Sequence, residues 1–130
     1  MSLMNAPVPL ELDKPRSVLY SMGAARHYKK TTGDDPVKWE KEQWANAIQD
    51  PEIFPVLLWA CLLHEDKTLA IDDVANLITS IAVMQAASIA IMRSYAYFCG
   101  MNDADIEKSI EEAKIAQPEE SDPLAVTVPA

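Results

Sequence analysis

The sequence predicts a mainly α protein: a compact multi-helix domain with a short N-terminal β-hairpin or extended arm and a disordered acidic C-terminal tail. Three observations predict it. The strong helix formers Ala, Leu, Met, Lys and Glu dominate the middle of the 130-residue chain. Only three glycines are present, too few for sandwiches, Gly-rich phosphate loops or dinucleotide folds. From Val56 to Leu63 runs a short segment apolar on every side, and a helix with no solvent face belongs at the centre of a packed bundle. The length and an apolar content of 49% fit one globular domain. The expected divisions are an arm or hairpin over 1–20, a helical domain over 21–116 and a tail over 117–130.

In chain order, residues 1–9 read as extended. Leu10–Leu12 and Ser17–Tyr20 alternate weakly around Asp13-Lys14-Pro15-Arg16, as a hairpin would. Ser21 caps a helix running to about Thr32, and Gly33 stands where a left-handed C-cap is expected. Asp35-Pro36 gives a cap followed by proline at the first helical position, predicting a helix to about Gln49. Asp50-Pro51 repeats that signal for the apolar helix, and Pro55 fits its first turns. His64-Glu65-Asp66 then forms a charged break.

From Asp72, the apolar residues Val74, Leu77, Ile78, Ile81, Met84, Ile91, Tyr95 and Phe98 recur at helical spacing. One helix of about 27 residues, or two broken near Thr79-Ser80, satisfies the pattern. On another face Ala82, Ala86, Ala90 and Ser94 recur every fourth residue, a small-residue seam that lets helix axes approach closely. Gly100 ends the run, Asn102 or Asp103 caps a last helix, and Ile106, Ile110 and Ala113 give it a thin apolar stripe. The segment after Gln117 is rich in proline and acid and has no helical period, as mobile tails are.

The formal charge of −9 argues against nucleic acid, because phosphate binding needs clustered Lys and Arg. Ile81–Met92 is apolar, but Gln85, Ser88 and Arg93 leave it short of the roughly 18–20 residues of a membrane span. Residues 1–12 lack the basic and apolar regions of an export signal, and Cys61 and Cys99 have no CxxC partner. Both cysteines are therefore expected reduced and buried, in a cytoplasmic protein.

Cys61, His64, Glu65 and Asp66 come nearest to a chemical site. Cys61 and His64 share a helical face, but two strong ligands do not make a metal site, and the acidic surroundings do not favour a thiolate. Cys61 is read as core, and His64-Glu65-Asp66 as the bridge to the next helix. No catalytic, cofactor or metal residues are assigned. Trp59 is expected in the core, with one other tryptophan partly exposed, because Trp39 and Trp44 share a helical face poorly. Arg26, Lys29, Lys30, Lys38 and Lys41 make one side basic against an acidic C-terminal third, consistent with head-to-tail assembly or an acidic partner segment.

The stretch Leu57–Asp66 resembles a pattern of the tail assembly chaperones of long-tailed bacteriophages and prophages: Leu-Leu-(Trp/Tyr)-Ala-x-Leu-x-His-Glu-Asp. Leu69, Asp72, Asp73 and Val74 match the Leu-Thr-x-acid-acid-Val that follows it, and Ser17–Tyr20 and Ala24–Gly33 match the β-like segment and Thr-Gly-ended helix that precede it. The resemblance covers about residues 10–80. Ala70 replaces a frequent capping Thr, which weakens that helix start by about 1 kcal/mol, and Lys29-Lys30 stands in a stretch often acidic in the family.

The resemblance implies a small, mostly helical, non-enzymatic protein of the bacterial host cytoplasm, without cofactor. Its implied partners are the tape measure protein and the tail tube protein, with a frameshifted longer form in many relatives. For this chain, Ala82, Met84, Ala86, Ala90, Ile91 and Tyr95 are the candidate partner-binding residues, for a client or for a homo-oligomer. Filling the monomer's own core is the other use of the same faces. An unrelated helical adaptor is the competing function.

Overall fold

A computed structural model describes residues 7–116, with side chains described up to Lys108 and at Glu111. It is mainly α with a two-stranded antiparallel hairpin. Residues 1–6 and the expected tail at 117–130 lie outside the described residues. Contacts divide the chain at Gly100 into two compact units, and the hairpin belongs to the first.

In the first unit, β1 (Val8–Glu11) pairs with β2 (Pro15–Val18) in the register Val8 with Val18 and Leu10 with Arg16. The first strand thus starts two residues before the expected Leu10. The alternation is legible: Val8, Leu10 and Val18 face inward, while Pro9 and Glu11 face out. Pro15 is tolerated because it opens its strand. Arg16 lies on the inward face. Its stem is buried, and its guanidinium donates to both carboxylate oxygens of Asp13 (2.8 and 3.0 Å) and lies 3.7 Å from Asp66.

Helix α1 (Met22–Thr32) begins as expected, with the Ser21 hydroxyl accepting from the Ala24 N–H. Gly33 ends it at φ +83°, a conformation that only glycine adopts without strain. The helix expected over 36–49 is broken. Asp35 caps only a 3-10 turn (Pro36–Lys38), Trp39 is extended, and α2 covers Lys41–Ala47. The reason is aromatic. In a continuous helix, residues five apart diverge by about 140°, whereas the break lets Trp39 and Trp44 meet edge to face at 5.0 Å, with Tyr28 on the far side of Trp39 at 5.4 Å. The Trp39 indole N–H donates to Asp34 (2.9 Å). Both rings are buried and Trp59 is only half-buried, the reverse of the expected split; Trp59 donates to the Leu69 carbonyl instead (2.9 Å).

A turn over 51–53 precedes α3 (Phe54–Leu62), which has Pro55 in its first turn and seven of its nine residues buried. It touches β2, α1, α4 and α5, the central position its composition demands. Helix α4 (Ile71–Leu77) has no capping side chain at Ala70, whose N–H is taken by the Asp73 carboxylate at 3.3 Å. The long helix is two, broken over 78–80. Ser80 caps α5 (Ile81–Phe98) by accepting from the Val83 N–H, and Gly100 at φ +95° closes it. Cys61 is fully buried as expected, but Cys99 is exposed, because it lies one residue past the helix end.

In the second unit, α6 covers Asp103–Ala116. Asn102 and Asp105 cap it reciprocally, each side chain accepting from the other's N–H. Of its expected stripe, the side chains at 110 and 113 lie outside the described residues.

Leu58 is fully buried in α3. Leu58→Ala is expected to lower unfolding free energy by about 2–5 kcal/mol, read as a shift in urea midpoint without loss of the cooperative transition.

Candidate functional site

The charged break after α3 is a clamp on the hairpin. Glu65 accepts the Ser17 N–H (3.0 Å) and the Ser17 hydroxyl (2.9 Å), and His64 Nε2 donates to the Ser17 carbonyl (2.9 Å) with the hydroxyl at 3.3 Å. One turn earlier, the Cys61 carbonyl accepts from the Leu19 N–H (3.0 Å). Serine, imidazole and carboxylate therefore meet, but in the wrong order for nucleophilic catalysis. The acid sits on the serine rather than on the far nitrogen of the imidazole, so it does not orient a base. Nor do Cys61 and His64 form a thiolate pair. Burial pushes the Cys61 thiol up to about 12, whereas His64 is exposed and held by the hairpin. Among the described residues, no three His, Cys, Asp or Glu side chains converge as a metal site requires.

Three of the exposed large apolar side chains among the described residues stand on α5. Eighteen residues make this helix about 27 Å long. Its inward line, Ala87, Ala90, Ile91 and Ser94, is buried, and the Ser94 hydroxyl accepts the Tyr20 N–H at 2.7 Å. Its outward line is apolar too: Ile81 is 69% exposed, Ile89 63% and Met92 36%, with Ala82, Gln85 and Ala86 exposed between them. Positions 74–92 contain no charged residue, the longest such run in a chain of net charge −9. Burying such large aliphatic side chains is worth roughly 1.5–3 kcal/mol each, so leaving two isoleucines in water is costly for the isolated chain.

Two clefts open near this line, one toward each end of α5. One, of about 410 Å³, is walled by Trp39, Trp44, Ile48, Met92 and Tyr95 with Lys41 at its edge. The other, of about 290 Å³, is walled by Phe54, Pro55, Ala75, Ile78 and Met84 beside Asp50. A methionine stands in each, a flexible side chain that adapts to varied apolar partners.

The six residues singled out from the sequence do not share one surface. Ala82 and Ala86 lie on the outward line, Met84 and Tyr95 are half-buried in different clefts, and Ala90 and Ile91 are in the core. Sequence reasoning missed Ile81, Gln85, Ile89 and Met92 as surface residues and Trp39 and Trp44 as cleft walls. The row of four-residue steps 81, 85, 89 was the available signal. The basic residues Arg26, Lys29, Lys30, Lys38 and Lys41 are all exposed, and Lys29 lies 3.9 Å from Asp35. No helix among the described residues is long and apolar enough to cross a membrane. No family model, curated protein or solved structure matches the chain.

The clamp has a pH signature. The Ser17 N–H, and then its hydroxyl, hold the Glu65 carboxyl below its ordinary value. A depressed folded value means that the contribution is present above the unfolded pKa and lost as pH falls through the folded one. From pH 7 to about 3, below the ordinary glutamate value, the wild type is expected to lose more stability than Glu65→Gln. Urea unfolding across that range measures it, and parallel pH curves for the two proteins would remove the clamp.

Proposed function

We propose that this chain is a non-enzymatic tail assembly chaperone of a phage or prophage, which binds the tape measure protein and keeps it soluble while the tail tube forms around it. The observation that carries the reading is the outward line of α5, uncharged from Ile81 to Met92, with an apolar cleft near each end of the helix. The client class follows from that shape. A tape measure protein presents long amphipathic helices, and such a helix laid beside α5 drops its apolar side chains into the clefts as anchors. The Leu57–Asp66 resemblance supplies the phage setting, and cytoplasm of the host is the compartment that goes with it. The matched residues have a physical role here, since His64 and Glu65 hold the hairpin to the helical body.

Co-expression with a tape measure protein tests the reading. The client is expected to move from the pellet to the soluble fraction, and to stay in the pellet when Met84→Asp and Met92→Asp are combined in a chain whose circular dichroism is unchanged. A client no more soluble with the chain than without it would overturn the proposal.

A further inference from the structure

The two clefts take their walls from the same two stretches of chain. Trp44 and Ile48 face Met92 and Tyr95 in one, and Gln49 and Phe54 face Met84 in the other. Ile48 and Gln49 are consecutive, so the outer wall passes from one cleft to the other without a break. On α5, positions 84, 88, 92 and 95 fall within about 80° of one another around the helix axis. They form one stripe, which shares Met92 with the exposed line. Ser88 stands between the clefts, and its hydroxyl donates to the Met84 carbonyl at 2.9 Å, so its polar group is already paired. From these observations we propose that the clefts are two ends of one groove. It recognises an amphipathic helix by two large apolar side chains seven positions apart, with a basic residue beside the anchor that enters at Met84. This names the side-chain pattern of the client proposed above and rests on that reading.

The walls select a helix over an extended peptide. An extended peptide needs free main-chain groups to pair with. Helix α5 pairs its main chain within itself, and the N–H groups of the outer wall from Gln49 to Phe54 are taken. Gln49 donates to the Asn46 carbonyl, Asp50 to Ala47, Glu52 to the Asp50 side chain, and Ile53 and Phe54 to the Asp50 carbonyl, while Pro51 has no N–H. A polyproline segment is held when an indole N–H donates to its carbonyls. Here the Trp39 N–H is given to Asp34, and that of Trp44 is buried. A helix needs neither, because it satisfies its own main chain. Spacing follows from Met84 and Met92, eight residues and about 12 Å apart along the axis. On a client helix, residues seven apart rise about 10.5 Å and return to within about 20° of the same direction. Polarity follows from charge. Asp50 is the charged residue lining the Met84 cleft, whereas Glu40 and Lys41 compensate each other at the other end. A lysine or arginine beside one anchor therefore decides which cleft that anchor enters.

Titration of the full chain with synthetic Ala/Gln-rich peptides of about 20 residues, long enough to be helical alone, tests it. Tryptophan emission follows binding, since Trp39 and Trp44 wall the groove. A peptide with two leucines seven apart and a lysine beside one of them is expected to bind. The same composition with the leucines five apart, about 140° apart around the helix, should bind about 10-fold more weakly, the loss of one buried anchor. Met84→Asp, with circular dichroism unchanged, should weaken the first peptide by about as much. Replacing the lysine by glutamate should cost about threefold, the size of an exposed charge pair. Asp50→Asn keeps the oxygen that accepts the Glu52 N–H and should erase that difference. Equal binding of the two spacings would overturn the proposal, as would a central-proline peptide that binds as well as its parent, or a lysine preference that survives Asp50→Asn. So would binding of neither peptide, whether the chain sediments as a monomer or as a dimer whose second copy fills the groove. A tape measure protein that stays in the pellet while the seven-spaced peptide binds removes the phage assignment alone. One that dissolves while both spacings bind alike removes the pattern alone.

Discussion

A helix without a charged side chain has to be covered on all sides, and α3 imposes that constraint on the first unit of this protein. Phe54, Leu57, Leu58, Cys61 and Leu62 are withdrawn from water by four different elements: β2, α1, α4 and α5. Each such element is amphipathic or short and would be marginal alone, since an isolated two-stranded hairpin or a seven-residue helix does not hold in water. Their stability comes from the surface they share with α3. The hairpin is the clearest case: Val8, Leu10 and Val18 complete the core, and the Cys61 carbonyl extends the helix's hold to the Leu19 N–H.

The polar residues around this core do local and specific work. Ser17 receives Glu65 and His64; Arg16 is neutralised by Asp13 with Asp66 nearby; Trp39 and Trp59 each find an acceptor for the indole N–H. The contacts of Arg16, Trp39 and Trp59 pair donors that burial would otherwise leave unsatisfied, whereas those of Ser17 lie at the surface. They also give His64 and Glu65, of the sequence cluster Cys61, His64, Glu65 and Asp66, a structural partner in Ser17 of the hairpin. The serine, histidine and acid that meet at the end of α3 are occupied with one another and with the backbone.

Among the described residues, Met22 and Val37 are exposed singly, whereas one side of α5 leaves several apolar residues uncovered together. Monomeric proteins keep exposed apolar residues scattered, whereas here Ile81, Ile89 and Met92 line up along one helix between two clefts, with no charge among them. An aligned apolar face of this kind is what a docking surface needs. The client helix proposed above would lie along this line with its anchors in the clefts.

The sequence by itself determined the parts whose causes are local. Ser21, Gly33 and Gly100 act within a few residues of themselves, so those helix ends were legible, as was the central place of α3, whereas the Asp35 signal opens only a 3-10 turn. The candidate surface was legible only in part: Ala82 and Ala86 were found, while Ala90 and Ile91 of the same helix are core. Residues four apart on a helix rotate by about 40° per step, so a series of four such residues turns through roughly 120°. That drift carries the seam from solvent at Ala82 to the Tyr20 N–H at Ser94. Only the tertiary structure decided the rest. The break at Trp39 lets its ring meet both Trp44 and Tyr28 of another helix, a packing that the local pattern of 36–49 does not show. Which face of α5 meets water is likewise a matter of where α3 and the hairpin already stand, which no local pattern encodes.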